Sequence, residues 1–103
     1  MTIKHCVWVK FRADVPQAER DAIYAQLAAL RDHLPGMLAI STGANVSPEG
    51  LHRGFTDGVI VDFADAAARD AYLVDEAHKR AGGRMVAALE GGRDGLIVFD
   101  IEA

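Results

Sequence analysis

Six segments of regular hydrophobic spacing follow one another along this 103-residue chain, and their order limits the folds that it can adopt. Four segments are rich in β-branched or aromatic residues, two of them with clear alternation, which predicts strands. They are residues 3–11, 37–45, 55–63 and 95–101. The other two segments carry apolar residues at helical spacing; one begins at Pro16 and the other follows Asp65. The predicted order is therefore strand, helix, strand, strand, helix, strand.

This order matches the ferredoxin-like βαββαβ arrangement, a split βαβ fold of the α+β class. It predicts one domain over residues 1–103, with a four-stranded antiparallel or mixed sheet and both helices on one face. Right-handed crossovers lead us to expect strands 1 and 3 as central, parallel neighbours. In the second helix, Gly82 and Gly83 predict a weakened stretch before a short helical segment near residues 85–89.

Charge and composition exclude several classes of protein. The net charge of −4 provides no concentrated basic surface, so we expect no nucleic-acid partner. No apolar run approaches the roughly 20 residues of a membrane span, and charged residues interrupt the N-terminal apolar segment, unlike a signal peptide. The single cysteine, Cys6, cannot form an internal disulfide and suits a reducing compartment. We therefore expect a cytoplasmic protein.

The apolar content exceeds what a chain of this length hides by itself. Half of the residues are hydrophobic, whereas a domain of this size buries only about 60–65% of its unfolded surface. Strand alternation places Trp8, Cys6 and Ile60 on the sheet face opposite the helices. Because that face needs another cover, we expect a homodimer that pairs two such faces.

Several short motifs, spread over nearly the whole chain, together resemble those of one known protein family. They are residues 3–11, 35–36, 43–49, 55–57, 61–63 and 98–100, and Tyr72 with His78. In these motifs the chain resembles the stress-responsive A/B barrel (Dabb) domain family. The resemblance implies a dimeric α/β barrel of two ferredoxin-like chains. In the polyketide cyclases of this family a histidine assisted by a tyrosine is catalytic, so the resemblance implies these roles for His78 and Tyr72. The chain differs from those cyclases at Asp57, where they carry a further histidine.

Four side chains are candidate catalytic residues: His5, Asp57, Tyr72 and His78. His5 and Asp57 each lie two residues into a strand, so parallel pairing would bring them to one end of the sheet on its helix-facing side. The second helix returns His78 to that end, and Tyr72 would meet His78 through irregular backbone near residue 77. An imidazole can exchange a proton near neutral pH, a carboxylate fixes its tautomer, and a tyrosine hydroxyl stabilises an enolate.

These residues predict a helix-side pocket for a small organic ligand. The chemistry that it suits is proton abstraction next to a carbonyl or an aldol-type ring closure, as in a cyclase or isomerase. We expect no cofactor, and no metal either, because Asp57 and His78 alone make too small a ligand set.

Other interpretations stay open at this point. His5 and Asp57 can form a polar pair in the core, His78 can lie at the surface or cap a helix, and Tyr72 can be a core residue with its hydroxyl at the edge. The chain can also be a non-catalytic, stress-related homo-oligomer. A third alternative is a monooxygenase-like dimeric barrel, although the Val-Lys-Phe and Gly-x-Asn-x-Ser stretches favour the A/B barrel family.

Overall fold

The computed structural model describes residues 1–103 and contains four strands and three helices. In chain order they are β1 (Ile3–Val9), α1 (Gln17–Ala28), β2 (Met37–Ala44), β3 (Asp57–Phe63), α2 (Ala66–Val74), α3 (Glu76–Ala87) and β4 (Leu96–Glu102). The strands form one antiparallel sheet in the order β2-β3-β1-β4. The predicted ferredoxin-like fold is confirmed.

β1 and β3 are antiparallel neighbours, so the predicted parallel pairing is wrong. A right-handed crossover through α1 brings β2 back parallel to β1 and leaves a gap one strand wide between them. β3 follows β2 through a loop, runs in the opposite direction and fills the gap. Ile3 therefore pairs with Phe63, and Val9 pairs with Asp57. This direction decides which side chains share an end of the sheet.

The hydrophobic core lies on the helix side of the sheet. Every second residue of β3 from Val59 to Phe63 is fully buried, which confirms the predicted alternation of this strand. These residues share one apolar cluster with Ile23 of α1 and Met85 of α3. Burial of a valine or phenylalanine side chain stabilises the fold by about 1.5–3 kcal/mol, so this layer holds the helices in place.

The second predicted helix is divided in two at Asp75. Asp75 has extended backbone angles, and its carboxylate accepts a hydrogen bond from the backbone N–H of His78 at 2.9 Å, which caps the start of α3. α3 then continues through Gly82 and Gly83 to Ala87. The predicted weakening at these glycines is wrong, because burial of Ala81 and Met85 on the core side outweighs their low helix propensity.

The other face of the sheet carries no helix. Trp8 and Ile60 are half-buried on it, and Cys6 is buried between its neighbours. The edge strand β4 adds Ile97, Phe99 and Ile101, which are 40%, 44% and 52% exposed. We call these six side chains the open face. The predicted location of the apolar surplus is therefore confirmed.

No helix in the structure combines the length and the apolar character that crossing a bilayer requires.

Candidate active site

Tyr72 and His78 lie against each other at the junction of α2 and α3. Tyr72 occupies the last turn of α2, and His78 occupies the first turn of α3. Their ring centroids are 3.8 Å apart and the planes are 30° apart, so the rings are nearly stacked. The helix break at Asp75 makes this contact possible, because residues six apart do not lie side by side on a continuous helix.

His5 and Phe63 hold Tyr72 from the sheet side. The His5 ring meets the Tyr72 ring edge-on, with centroids 5.7 Å apart, and Phe63 lies 5.0 Å from Tyr72. Tyr72 is only 2% exposed, and this burial raises the pKa of its hydroxyl. The hydroxyl therefore stays protonated at neutral pH and can act as a hydrogen-bond donor.

One nitrogen of the His78 imidazole is buried and forms no hydrogen bond of ordinary length and angle. His78 is half-buried overall, yet its Nδ1 is inaccessible to solvent and has no hydrogen-bond partner in the chain. Burial lowers the pKa of His78 below its ordinary value of 6.5, and the nearby His5 lowers it further. The ring is therefore neutral near pH 7, which is the form that accepts a proton.

The carboxylate beside His5 belongs to Asp100. His5 and Asp100 are cross-strand partners on β1 and β4, and His5 Nδ1 lies 2.7 Å from Oδ1 of Asp100. The other oxygen, Oδ2, accepts a hydrogen bond of 2.7 Å from Arg69 Nη1. Burial raises the pKa of Asp100, but the hydrogen bonds from Arg69 and His5 outweigh it and leave that pKa below its usual value. Asp100 is thus an ionised acceptor, and His5 is the donor on Nδ1.

Asp57 lies at the other end of the sheet, so its predicted pairing with His5 is wrong. His5 pairs with Val61, and Asp57 is four residues along β3, a separation of about 13 Å at 3.3 Å per residue. Asp57 instead accepts hydrogen bonds from Tyr24 at 2.8 Å and Thr56 at 3.0 Å. Arg20 lies 3.5 Å from the same carboxylate. Asp57 therefore ties α1 to the sheet.

The model of the stress-responsive A/B barrel domain, Dabb, matches residues 3–103. The chain belongs to this family. The predicted resemblance is confirmed, and the match extends over both the strand that carries His5 and the one that carries Asp100.

Three similar proteins illustrate the range of similarity. A solved structure described as a dimeric ferredoxin-like protein of unknown function from Jannaschia sp. CCS1 is 32% identical, covers 100% of both chains and has a TM-score of 0.93. Olivetolic acid cyclase from Cannabis sativa is 24% identical over 78 residues, which are 76% of this chain and 77% of the cyclase. The structure of a hydroxynitrile lyase from Passiflora edulis is 20% identical, covers 97% of this chain and 91% of that one, and shares the fold with a TM-score of 0.84.

The best-defined concavity of this A/B barrel chain lies on the open face, whereas a helix-side pocket was predicted. It has a volume of about 680 Å³, and Trp8, Phe55 and His52 are among its lining residues. None of the three best-defined concavities is lined by His5, Tyr72 or His78. Tyr72 and His5 are instead enclosed by their neighbours, with 2% and 4% of their surfaces exposed.

Proposed function

We propose that this A/B barrel protein is a cofactor-free acid/base catalyst of the cyclase or isomerase type, acting on a small organic substrate. His78 is the base, Tyr72 is the hydrogen-bond donor, and His5 supports them with Asp100 in the place predicted for Asp57. The observation that carries the proposal is the buried, unpartnered Nδ1 of His78, since buried polar atoms in native proteins almost always have a partner.

The chemistry follows from the protonation states at the site. A neutral His78 removes a proton from a carbon next to a carbonyl: the C–H bond breaks, an N–H bond forms, and the electron pair moves onto the carbonyl oxygen. The Tyr72 hydroxyl donates a hydrogen bond to that oxygen. The resulting enolate either regains the proton at another atom, as in an isomerase, or attacks a second carbonyl of the same molecule, as in a cyclase.

The proposed entrance lies at the junction of α2 and α3. His78 is half-buried there, and the neighbouring Val74 is 67% exposed. Because Tyr72 is buried and Nδ1 of His78 is inaccessible to solvent, substrate binding requires a displacement at this junction. The extended residue Asp75, which interrupts the helix, is a suitable hinge.

Substrate panels with matched variants test the proposal. The panel contains linear polyketide thioesters with enolisable carbons next to a carbonyl, and product formation is followed by chromatography. We expect wild type to convert at least one compound, and His78→Gln and Tyr72→Phe to lose at least about 100-fold in rate, as general acid–base catalysis contributes about 10²–10⁴-fold. The control is His52→Gln, an exposed histidine outside the site. Equal rates for wild type and His78→Gln would refute the assignment of the base.

A second candidate function is non-catalytic assembly, and the apolar open face favours it. We infer a homodimer through the face that bears Trp8, Cys6 and Ile60. The description of the Jannaschia relative as dimeric supports this inference. A Trp8→Asp variant would place a charge in a dry contact between two sheets and should sediment as a monomer. Sedimentation of wild type as an 11.1 kDa species at micromolar concentration would contradict it.

We also infer that the protein acts in the cytoplasm. Its single cysteine, Cys6, is buried and free, which suits a reducing compartment. Cell fractionation and immunoblotting test this inference, and recovery from an oxidising compartment would contradict it.

A further inference from the structure

We propose that Arg69 is a positioning residue of the candidate active site, which fixes the tautomer of His5 by holding the carboxylate of Asp100. This inference rests on the proposed function for its catalytic consequence, but its structural part can be measured without any substrate. No sequence motif singled out Arg69.

α2 presents Arg69 and Tyr72 to the same edge of the sheet. The two residues are three apart on the helix and therefore neighbours on its surface. Tyr72 meets the His5 ring, while Arg69 reaches the carboxylate of Asp100, the cross-strand partner of His5. One turn of helix thus contacts both the imidazole and the group that orients it.

Asp100 has one oxygen for each of its two partners. Oδ1 lies 2.7 Å from His5 Nδ1, and Oδ2 accepts from Arg69 Nη1 at the same distance. Both lengths are typical of charge-assisted hydrogen bonds. Since an ionised carboxylate only accepts, the His5 proton must sit on Nδ1, and a neutral His5 then carries its lone pair on Nε2.

Without Arg69, only the contact with His5 would hold Asp100 in this orientation. Asp100 lies on the edge strand β4, and its side chain is 23% exposed. A partly exposed carboxylate on an edge strand can rotate into water and leave His5 free to exchange tautomers. Arg69 is itself anchored, because its Nε donates to Asp70 at 2.9 Å. The Arg69–Asp100 ion pair also differs from an isolated surface pair, which contributes little to stability. Its carboxylate also contacts the almost fully buried imidazole of His5.

Arg69 acts through Asp100 and does not touch the proposed base. Its recorded side-chain partners are Asp70 and Asp100, and neither His78 nor Tyr72 is among them. Its loss should therefore lower kcat while KM stays near the wild-type value. We expect about a tenfold loss in Arg69→Met, which corresponds to about 1.4 kcal/mol. Arg69→Lys keeps the charge but lacks the planar group that bonds Asp70 and Asp100 from separate nitrogens, and it should recover part of the loss.

Nitrogen-15 NMR of histidine-labelled protein tests the structural part directly. The chain has only four histidines, so the ring signals can be assigned by substitution. Spectra are recorded at alkaline pH, where imidazoles are neutral, and in wild type we expect the His5 signals of a ring that carries its proton on Nδ1. Arg69→Met should shift them towards a mixture of the two neutral tautomers. Arg69→Gln provides the same readout with a polar side chain if Arg69→Met does not fold.

The matched control is Arg84→Met, which removes an arginine from a 2.7 Å ion pair with Glu19 away from the site. It should leave the His5 signals unchanged. Unchanged His5 signals in folded Arg69→Met or Arg69→Gln would overturn the inference, whatever the activity results. Inactivity of wild type on every substrate would count against the proposed function and leave the tautomer measurement valid, so the two failures can be told apart.

Discussion

Replacement of Gly58 by alanine should displace the indole of Trp8 and weaken the proposed dimer. Gly58 is the cross-strand partner of Trp8, and the indole covers it on the open face. A Cβ at position 58 would lie 2.6 Å from Cε3 and 2.8 Å from Cζ3 of Trp8. Carbon atoms pack best at about 3.5–4.0 Å, so the ring must lift by about 1 Å.

The expected cost depends on what covers the indole. Overpacking a closed core costs about 1–3 kcal/mol. In a free chain the half-buried ring can tilt outward, so the stability of the monomer should fall by about 1 kcal/mol or less. Between two packed sheets both copies of the ring are confined, and an excess of about 2–3 kcal/mol over the cost in the two free chains would raise the dimer dissociation constant about 30- to 150-fold.

Sedimentation equilibrium and tryptophan fluorescence measure this effect together. Trp8 is the only tryptophan, so its emission reports on the open face alone. Gly58→Ala should dissociate at a higher concentration than wild type, with emission shifted to the red as the dimer separates. Gly83→Ala is the control, because its Cβ would meet nothing within 4 Å on α3. Equal dissociation constants and equal emission for Gly58→Ala and wild type would refute the placement of Trp8 in the dimer contact.

Three other perturbations test separate parts of the structure. Gly83→Ala should stabilise α3 by about 0.5–1 kcal/mol through helix propensity and raise Tm in a calorimetric scan; a lower Tm would contradict the open space found at that position. Asp57→Asn should destabilise the fold by about 1–3 kcal/mol, because Arg20 and Tyr24 lose a buried carboxylate partner. Turnover by His78 should stay unchanged. Loss of turnover without loss of stability would return Asp57 to the candidate active site. The folded chain holds the pKa of His78 below the 6.5 of an unfolded histidine. Between these two pKa values the unfolded state therefore binds more protons than the folded state. The free energy of unfolding should fall as pH drops from 6.5 towards the folded pKa. Denaturant titrations should show this slope in wild type and less of it in His78→Gln; identical slopes would contradict the lowered pKa.

The fold could be predicted from the sequence because each element has a strong local pattern. Alternation in the strands placed His5 on the helix side and Trp8 on the open side, as the structure confirms. The direction of pairing between β1 and β3 is not a local property, since it depends on the gap that the first crossover leaves. That error alone moved Asp57 to the wrong end of the sheet.

Asp100 was missed although its position was accessible to the same reasoning. In the antiparallel order β4 borders β1, and residue 100 falls on the helix-facing side opposite His5. The contact between Tyr72 and His78 was predicted to run through irregular backbone near residue 77, and the structure places the helix break at Asp75, a residue type that favours helix N-caps. The enclosure of Tyr72 and His5 depends on packing among distant elements and could not be derived from spacing.

The location of a bound small ligand tests the central claim most directly. The histidines report on different places: His5 and His78 on the candidate active site, and His52 on the open-face concavity of about 680 Å³. Nitrogen-15 spectra of histidine-labelled protein are recorded while 4-nitrophenolate, a planar anion resembling an enolate, is added. We expect Nδ1 of His78 to shift most and His52 to stay unchanged. A shift at His52 with none at His78 would contradict the acid/base site.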